Sequence, residues 1–154
     1  MVLAPGFSEY LIPFAGPAAA RDWVTRKRAD LQQYGFAPWV VEIRQTREFV
    51  GCVGLSKVPY QASFTPAVEI AWRLRNAFRG FGYATEAAQA ALSDGFDRCG
   101  LVEVVANTVP DNLPSRRVME RIGMKYASEF DHPLVPLGHP FRRQVLYRIA
   151  RTSP

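Results

Sequence analysis

No apolar run in this chain approaches the ~20 residues that a membrane span requires. Its first residues carry neither the basic stretch nor the apolar core of a secretory signal. The expectation is a soluble cytoplasmic protein with no membrane partner. Cysteine is scarce: Cys52 and Cys99 lie far apart, with no CxxC pair and no histidine at ligand spacing. That argues against a disulfide scaffold and against a metal site, and both thiols are expected to behave as small buried apolar groups. The Gly-Lys-Ser/Thr triplet of a nucleoside-triphosphatase loop is missing. There is no internal repeat, low-complexity stretch or linker, so residues 1–154 read as one domain, long enough to bury roughly 70% of the unfolded surface. The net charge of +5 comes mostly from arginines spread along the chain. Such a balance suits an acidic protein, a polyphosphate ligand or a solvated surface. Without a compact basic block, nucleic acid is not the expected partner.

The element signals are strong. Gly16-Pro17 opens a helical pattern whose apolar face is predicted to hold Ala20, Trp23, Val24, Leu31 and Tyr34, with Gly35 as the stop. Trp39 to Ile43 and Phe49 to Leu55 read as an antiparallel hairpin. A third strand, Ala67 to Arg75, alternates cleanly: Val68, Ile70, Trp72 and Leu74 point one way, and Glu69, Ala71, Arg73 and Arg75 the other. A helix is predicted from about Tyr83 to Arg98, its packed face built from Ala84, Ala87, Ala88, Ala91, Leu92, Gly95, Phe96 and Cys99. Leu101 to Ala106 reads as a strand and the segment carrying Val118, Met119 and Ile122 as a short helix. Met124 to Phe130 and Gln144 to Ala150 form two final strands around a loop rich in proline and histidine. The order predicts an α/β fold with a mixed sheet, in which the strand–helix–strand crossover from Ala67 to Ala106 is parallel.

The segment from 79 to 87, Arg-Gly-Phe-Gly-Tyr-Ala-Thr-Glu-Ala, joins the third strand to the long helix. Two glycines one residue apart allow a tight bend that leaves backbone N–H groups uncovered. The helix adds unpaired donors and the positive end of its dipole. Such a junction can cradle phosphate, or serve as a turn only. A dinucleotide fingerprint requires a third glycine where Thr85 stands, so that reading is weak.

Four segments in order carry a resemblance. They are Glu-Ile-Ala-Trp-Arg-Leu from Glu69, the glycine turn, Asp-Asn-Leu-Pro-Ser-Arg from Asp111 and Met-Glu-Arg-Ile-Gly-Met from Met119. This series resembles the GCN5-related N-acetyltransferase (GNAT) superfamily, most of all its branch of Rim-type enzymes that acetylate ribosomal-protein N-termini. The likeness runs over roughly residues 17–150. It implies a mostly antiparallel sheet flanked by helices, with a V-shaped splay between the two central parallel strands. It implies acetyl-CoA as co-substrate and an amine, peptide or small molecule, as acceptor. It places the donor along Ala71, Trp72, Arg73 and Leu74, with pyrophosphate over Arg79, Gly80, Phe81, Gly82, Tyr83, Ala84 and Thr85, and with Asn107, Asn112 and Ser115 on the thiol side. Backbone N–H groups near Ala71 or Trp72 would hold the oxyanion, and Arg75 and Arg79 can add charge-assisted contacts to phosphate.

Glu69, a carboxylate in an otherwise apolar strand, is the candidate base, with an ion pair to an arginine as the competing role. Ser115 is the candidate leaving-group acid, with helix initiation as its competing role. Met119 stands where many relatives carry a proton-donating tyrosine. His132, His139, Arg142 and Arg143 are expected to be turn or surface residues, although the arginines can select an acidic substrate. The family's usual first strand and helix are shortened or missing ahead of Gly16. That leaves a sheet edge for Val2 to Phe7 or for a second subunit to cover, hence a possible homodimer. A CoA-binding module with lost or regulatory catalysis is the alternative function.

Overall fold

The computed structural model describes residues 9, 10 and 12–152. Val2 to Phe7, the expected substitute edge strand, lies outside them. Helix α1 spans Pro17–Tyr34 and ends on Gly35 in the left-handed conformation. Strands β1 (Pro38–Glu42), β2 (Phe49–Lys57) and β3 (Val68–Leu74) follow, then a 3-10 turn at Asn76–Phe78. Helix α2 (Tyr83–Asp97), β4 (Glu103–Thr108), α3 (Leu113–Arg121), β5 (Lys125–Asp131) and β6 (Arg143–Ala150) complete the order. Every element read from the sequence is present, with ends shifted by one or two residues. The largest shift is at β4, where Leu101 donates its N–H to Gly95 and Val102 is 75% exposed, so the strand starts at Glu103.

The six strands lie in the order β1-β2-β3-β4-β6-β5. All neighbours are antiparallel except β3 and β4, which are parallel and share the single pair Glu69–Val105. Past that rung the two strands part. On one face, Val53, Leu55, Ile70, Leu74, Val104 and Tyr147 pack against Ala88, Ala91 and Leu92 of α2 and Met119 of α3. The small residues of α2 let it lie close: a Cβ on Gly95 would come within 2.6 Å of Leu55 Cδ1. On the other face, the loop between β2 and β3 sets Phe64 and Tyr60 against Val105 and Leu146, and Phe130 closes the cluster.

Helix α1 lies toward the Glu69 and Arg73 face of β3 through Lys27 and Trp23, and here the periodicity misleads. Its half-buried positions are Ala19, Ala20, Trp23, Lys27, Asp30 and Tyr34, while Val24 and Leu31 are 39% and 49% exposed. Trp23 packs on Phe14, and Lys57 lies 3.9 Å above the Tyr34 ring. The helix thus turns Lys27, rather than its most apolar stripe, toward the sheet. Strand β1 has no neighbour on its outer side among the described residues, and Val40 is exposed there.

Candidate active site

The parting of β3 and β4 opens a cleft of about 660 Å³. Of the residues expected at a site, Glu69, Ala71, Trp72, Arg73, Leu74, Arg79, Gly80, Gly82, Tyr83, Ala84, Thr85, Asn107, Asn112 and Ser115 all line it. Phe81 does not line it: its ring turns outward, 67% exposed, and stacks on Tyr83. Arg75 also stands outside the lining, holding the Phe49 carbonyl at 3.0 Å and Glu48 at 3.7 Å. The pieces come from three stretches of the sequence, and the splayed strands bring them together.

At the glycine turn, Gly80 and Gly82 have φ of +80° and +83°, a region that strains other residues. A Cβ on either would meet no protein atom within 4 Å, so these glycines serve backbone shape and access rather than packing. Gly82 caps α2 with no side-chain hydrogen bond, and the first intrahelical bond closes from Glu86 N–H to the Gly82 carbonyl. The N–H groups of the first turn therefore lack helical partners.

Opposite the turn, α3 is held by a chain of polar contacts. Asn112, buried, donates from Nδ2 to Thr108 Oγ1 at 2.8 Å and accepts at Oδ1 from the Ser115 N–H at 3.3 Å. It is the helix cap. Trp72 on β3 reaches across the cleft and donates from Nε1 to Ser115 Oγ at 3.2 Å. Because Ser115 accepts there, its own hydroxyl hydrogen is free to donate. Met119 is buried one turn further on and has no proton to give. Asn107 donates from Nδ2 to Gln144 Oε1, tying β4 to β6 at the rim.

Glu69 sits at the rung where β3 and β4 last touch. Its carboxyl is partly exposed to the cleft but walled in by protein, and no described residue forms a salt bridge with it. Desolvation pushes its pKa up to about 7, against smaller downward pulls from Lys27 and Arg73. Burial raises the Tyr60 hydroxyl, and the Glu69 charge raises it further. The Tyr60 oxygen is buried without a hydrogen-bond partner among the described residues. The His132 ring lies 4.3 Å from the Tyr60 ring, and burial lowers its pKa.

Tyr60 and His132 line the cleft beside Glu69 and Lys27 acts on its charge, roles the sequence did not disclose. The first two come from loops, and Lys27 from a helix face read as apolar. The histidines do make turns, as expected: His132 Nδ1 accepts from Leu134 N–H and His139 Nδ1 from Phe141 N–H. Arg142 holds the same loop through the Val135 carbonyl, and Arg143 is paired with Glu129 at 2.8 Å and with Asp131 at 3.4 Å. Neither cysteine is fully buried, contrary to expectation, and both are free thiols. Burial pushes the Cys52 thiol up, opposed by Arg73.

A six-stranded mixed sheet split at its parallel pair, with a glycine turn feeding the crossover helix, is the architecture of a GNAT-type acetyltransferase. The Acetyltransferase (GNAT) domain family matches residues 4–125, and the chain belongs to it. Among characterised and uncharacterised relatives, YkkB of Bacillus subtilis is 36% identical over 107 residues, covering 70% of this chain and 61% of YkkB. The FsC-acetyl coenzyme A-N(2)-transacetylase of Aspergillus fumigatus is 36% identical over 100 residues, covering 62% of this chain and 42% of that protein. RimJ of Mycobacterium smegmatis, solved in complex with CoA-disulfide, superposes with a TM-score of 0.69 at 26% identity, covering 86% of this chain and 61% of RimJ. The matched stretches thus span less than two thirds of these relatives' lengths.

Proposed function

We propose that this chain transfers an acetyl group from acetyl-CoA to a primary amine, either a protein N-terminus or a small-molecule amine, by direct attack with both substrates bound. One observation carries the reading. The uncapped N-terminus of α2 and the raised carboxyl of Glu69 face the same cleft from its two ends. The residues fit coenzyme A: the glycine turn leaves open space where side chains would stand, and the first-turn N–H groups of α2 suit a pyrophosphate. Arg79 at the mouth adds a cation. Acetyl-CoA supplies the acetyl group as a thioester.

The chain's own groups divide the remaining work. The backbone at Ala71 or Trp72, where β3 has left β4, offers an N–H group to the carbonyl oxygen as negative charge develops there. Glu69 takes the proton that the amine sheds as its nitrogen bonds to the acetyl carbon, directly or through water. An α-amino group, with a reference pKa of about 7.7–8.0, requires little help from a base near 7. As the carbon–sulfur bond breaks, Ser115 can donate a proton to the sulfur, oriented by its bond from Trp72.

The test is release of free thiol from acetyl-CoA with a panel of peptides and small amines. Turnover with an amine supports the reading. Tight CoA binding with no turnover for any amine would instead support the CoA-binding module, which the buried Met119 favours. Binding that falls steeply with salt and is indifferent to acetyl-CoA would point to nucleic acid.

A further inference from the structure

Arg73 has no role in the proposed acetyl transfer, yet it stands in the same cleft. Strand alternation places it on the face of β3 that carries Glu69 and Ala71, opposite Cys52 of β2. The guanidinium is partly buried, with its carbon 5.9 Å from the Phe14 ring centre. No carboxylate lies within ion-pair distance of it among the described residues. The other cation on this side, Lys27, is already paired with Asp30 at 3.0 Å.

Glu69 and Arg73 thus form an unjoined pair of opposite charges, their Cα atoms about 13 Å apart at ~3.3 Å per residue but their side chains close enough for each charge to act on the other. Between them Ala71 is exposed as an open floor. A desolvated guanidinium without an anion is unfavourable, and a carboxylate docking on its fork relieves that. A second ammonium on the acceptor would be repelled from the same place.

Resting on the acetyl-transfer reading, we infer that the acceptor is a primary amine that also bears a carboxylate, the amino-acid class, with Arg73 receiving the carboxylate while the amine faces Glu69. The wall beside Glu69, formed by the contacting rings of Tyr60 and His132, suits an apolar or aromatic side chain. The stoichiometry is unchanged: a nitrogen–carbon bond forms, a carbon–sulfur bond breaks, and the amine proton leaves to Glu69 as the sulfur gains one. Arg73 exchanges no proton. It selects and orients.

The experiment compares L-phenylalanine, L-phenylalanine methyl ester and phenethylamine as acceptors for acetyl-CoA, by thiol release and by mass of the product. A charge-assisted fork contact corresponds to roughly 10- to 100-fold in kcat/KM. The expected order is the free acid ahead of both other amines by at least about tenfold. Arg73→Met should collapse that ratio toward one by raising KM for the acid, and Arg73→Lys should restore part of it. Turnover of the ester or phenethylamine as readily as the acid in the unaltered protein overturns the inference and leaves acetyl transfer standing, without depending on any variant folding. A ratio unmoved in Arg73→Met overturns it as well. Thiol release with no amine at all overturns the acetyl-transfer reading first, and this inference with it.

Discussion

Replacing Glu69 by glutamine should slow the reaction and stabilise the protein, and the two effects share one cause. The carboxyl is held near 7 by desolvation, well above the 4.5 of a free glutamate side chain. In the unfolded chain the group ionises near 4.5, so between about pH 4.5 and 7 the folded protein holds more protons than the unfolded one. The group's contribution to stability is therefore complete below 4.5 and is lost as pH rises through about 7. At about 1.4 kcal/mol per pH unit, the distance from 4.5 to about 7 sets a ceiling of about 3 kcal/mol. Access to the cleft and screening by Lys27 and Arg73 bring the expected value to about 1–2 kcal/mol. Glutamine keeps the shape and never ionises. Its melting temperature should exceed the parent's by about 2–4 °C per kcal/mol at pH 8 and match it near pH 4.5. In the assay, kcat/KM of the parent should climb more steeply than the amine's ionisation alone allows up to about pH 7, and above that should rise only as the amine loses its proton. The variant should lose on the order of 100-fold at pH 7 and follow only the ionisation of the amine. A variant destabilised equally at pH 5 and pH 8, or one with the parent's pH profile, would refute the argument.

Other substitutions test the remaining parts. Gly82→Ala, at φ +83°, should lose about 1–2 kcal/mol of stability and weaken CoA binding by calorimetry about tenfold, because the new methyl enters the cradle rather than the core. Ser115→Ala should lower kcat about tenfold with little change in KM for acetyl-CoA, and the deficit should shrink above about pH 8.5, where a thiol leaves without a proton. Asn112→Ala removes the α3 cap and strands Thr108 Oγ1, so urea unfolding should show a loss of about 1–2 kcal/mol.

The parts of this molecule readable in its sequence are those with a local cause. Helix α2 is written by small residues at helical spacing, β3 by strict alternation, and the turn between them by glycines that only a left-handed backbone demands. Every residue that the order of motifs assigned to the site lines the cleft, Phe81 excepted. Its ring has no pocket to enter once Gly80 and Gly82 have turned the chain. What stayed hidden arises from packing at long range. Lys27 faces the sheet because α1 rotates to seat Trp23 and Tyr34, which leaves Val24 and Leu31 in solvent. Tyr60 and His132 meet through two loops far apart in the chain, and no periodicity governs loops.

The lone rung between Glu69 and Val105 gives the sheet two interior edges. Elsewhere in proteins an unpaired strand edge lies on the outside, where it invites another chain to add itself and aggregate. Here the edges face each other inside the molecule, across a cleft lined by Trp72, Ser115 and the start of α2. A slender molecule carrying its own amide groups can enter and pair with them. The hydrogen-bonding capacity that makes an open sheet hazardous is thereby held inside the fold, and the sheet need not break any pairing of its own to receive a ligand.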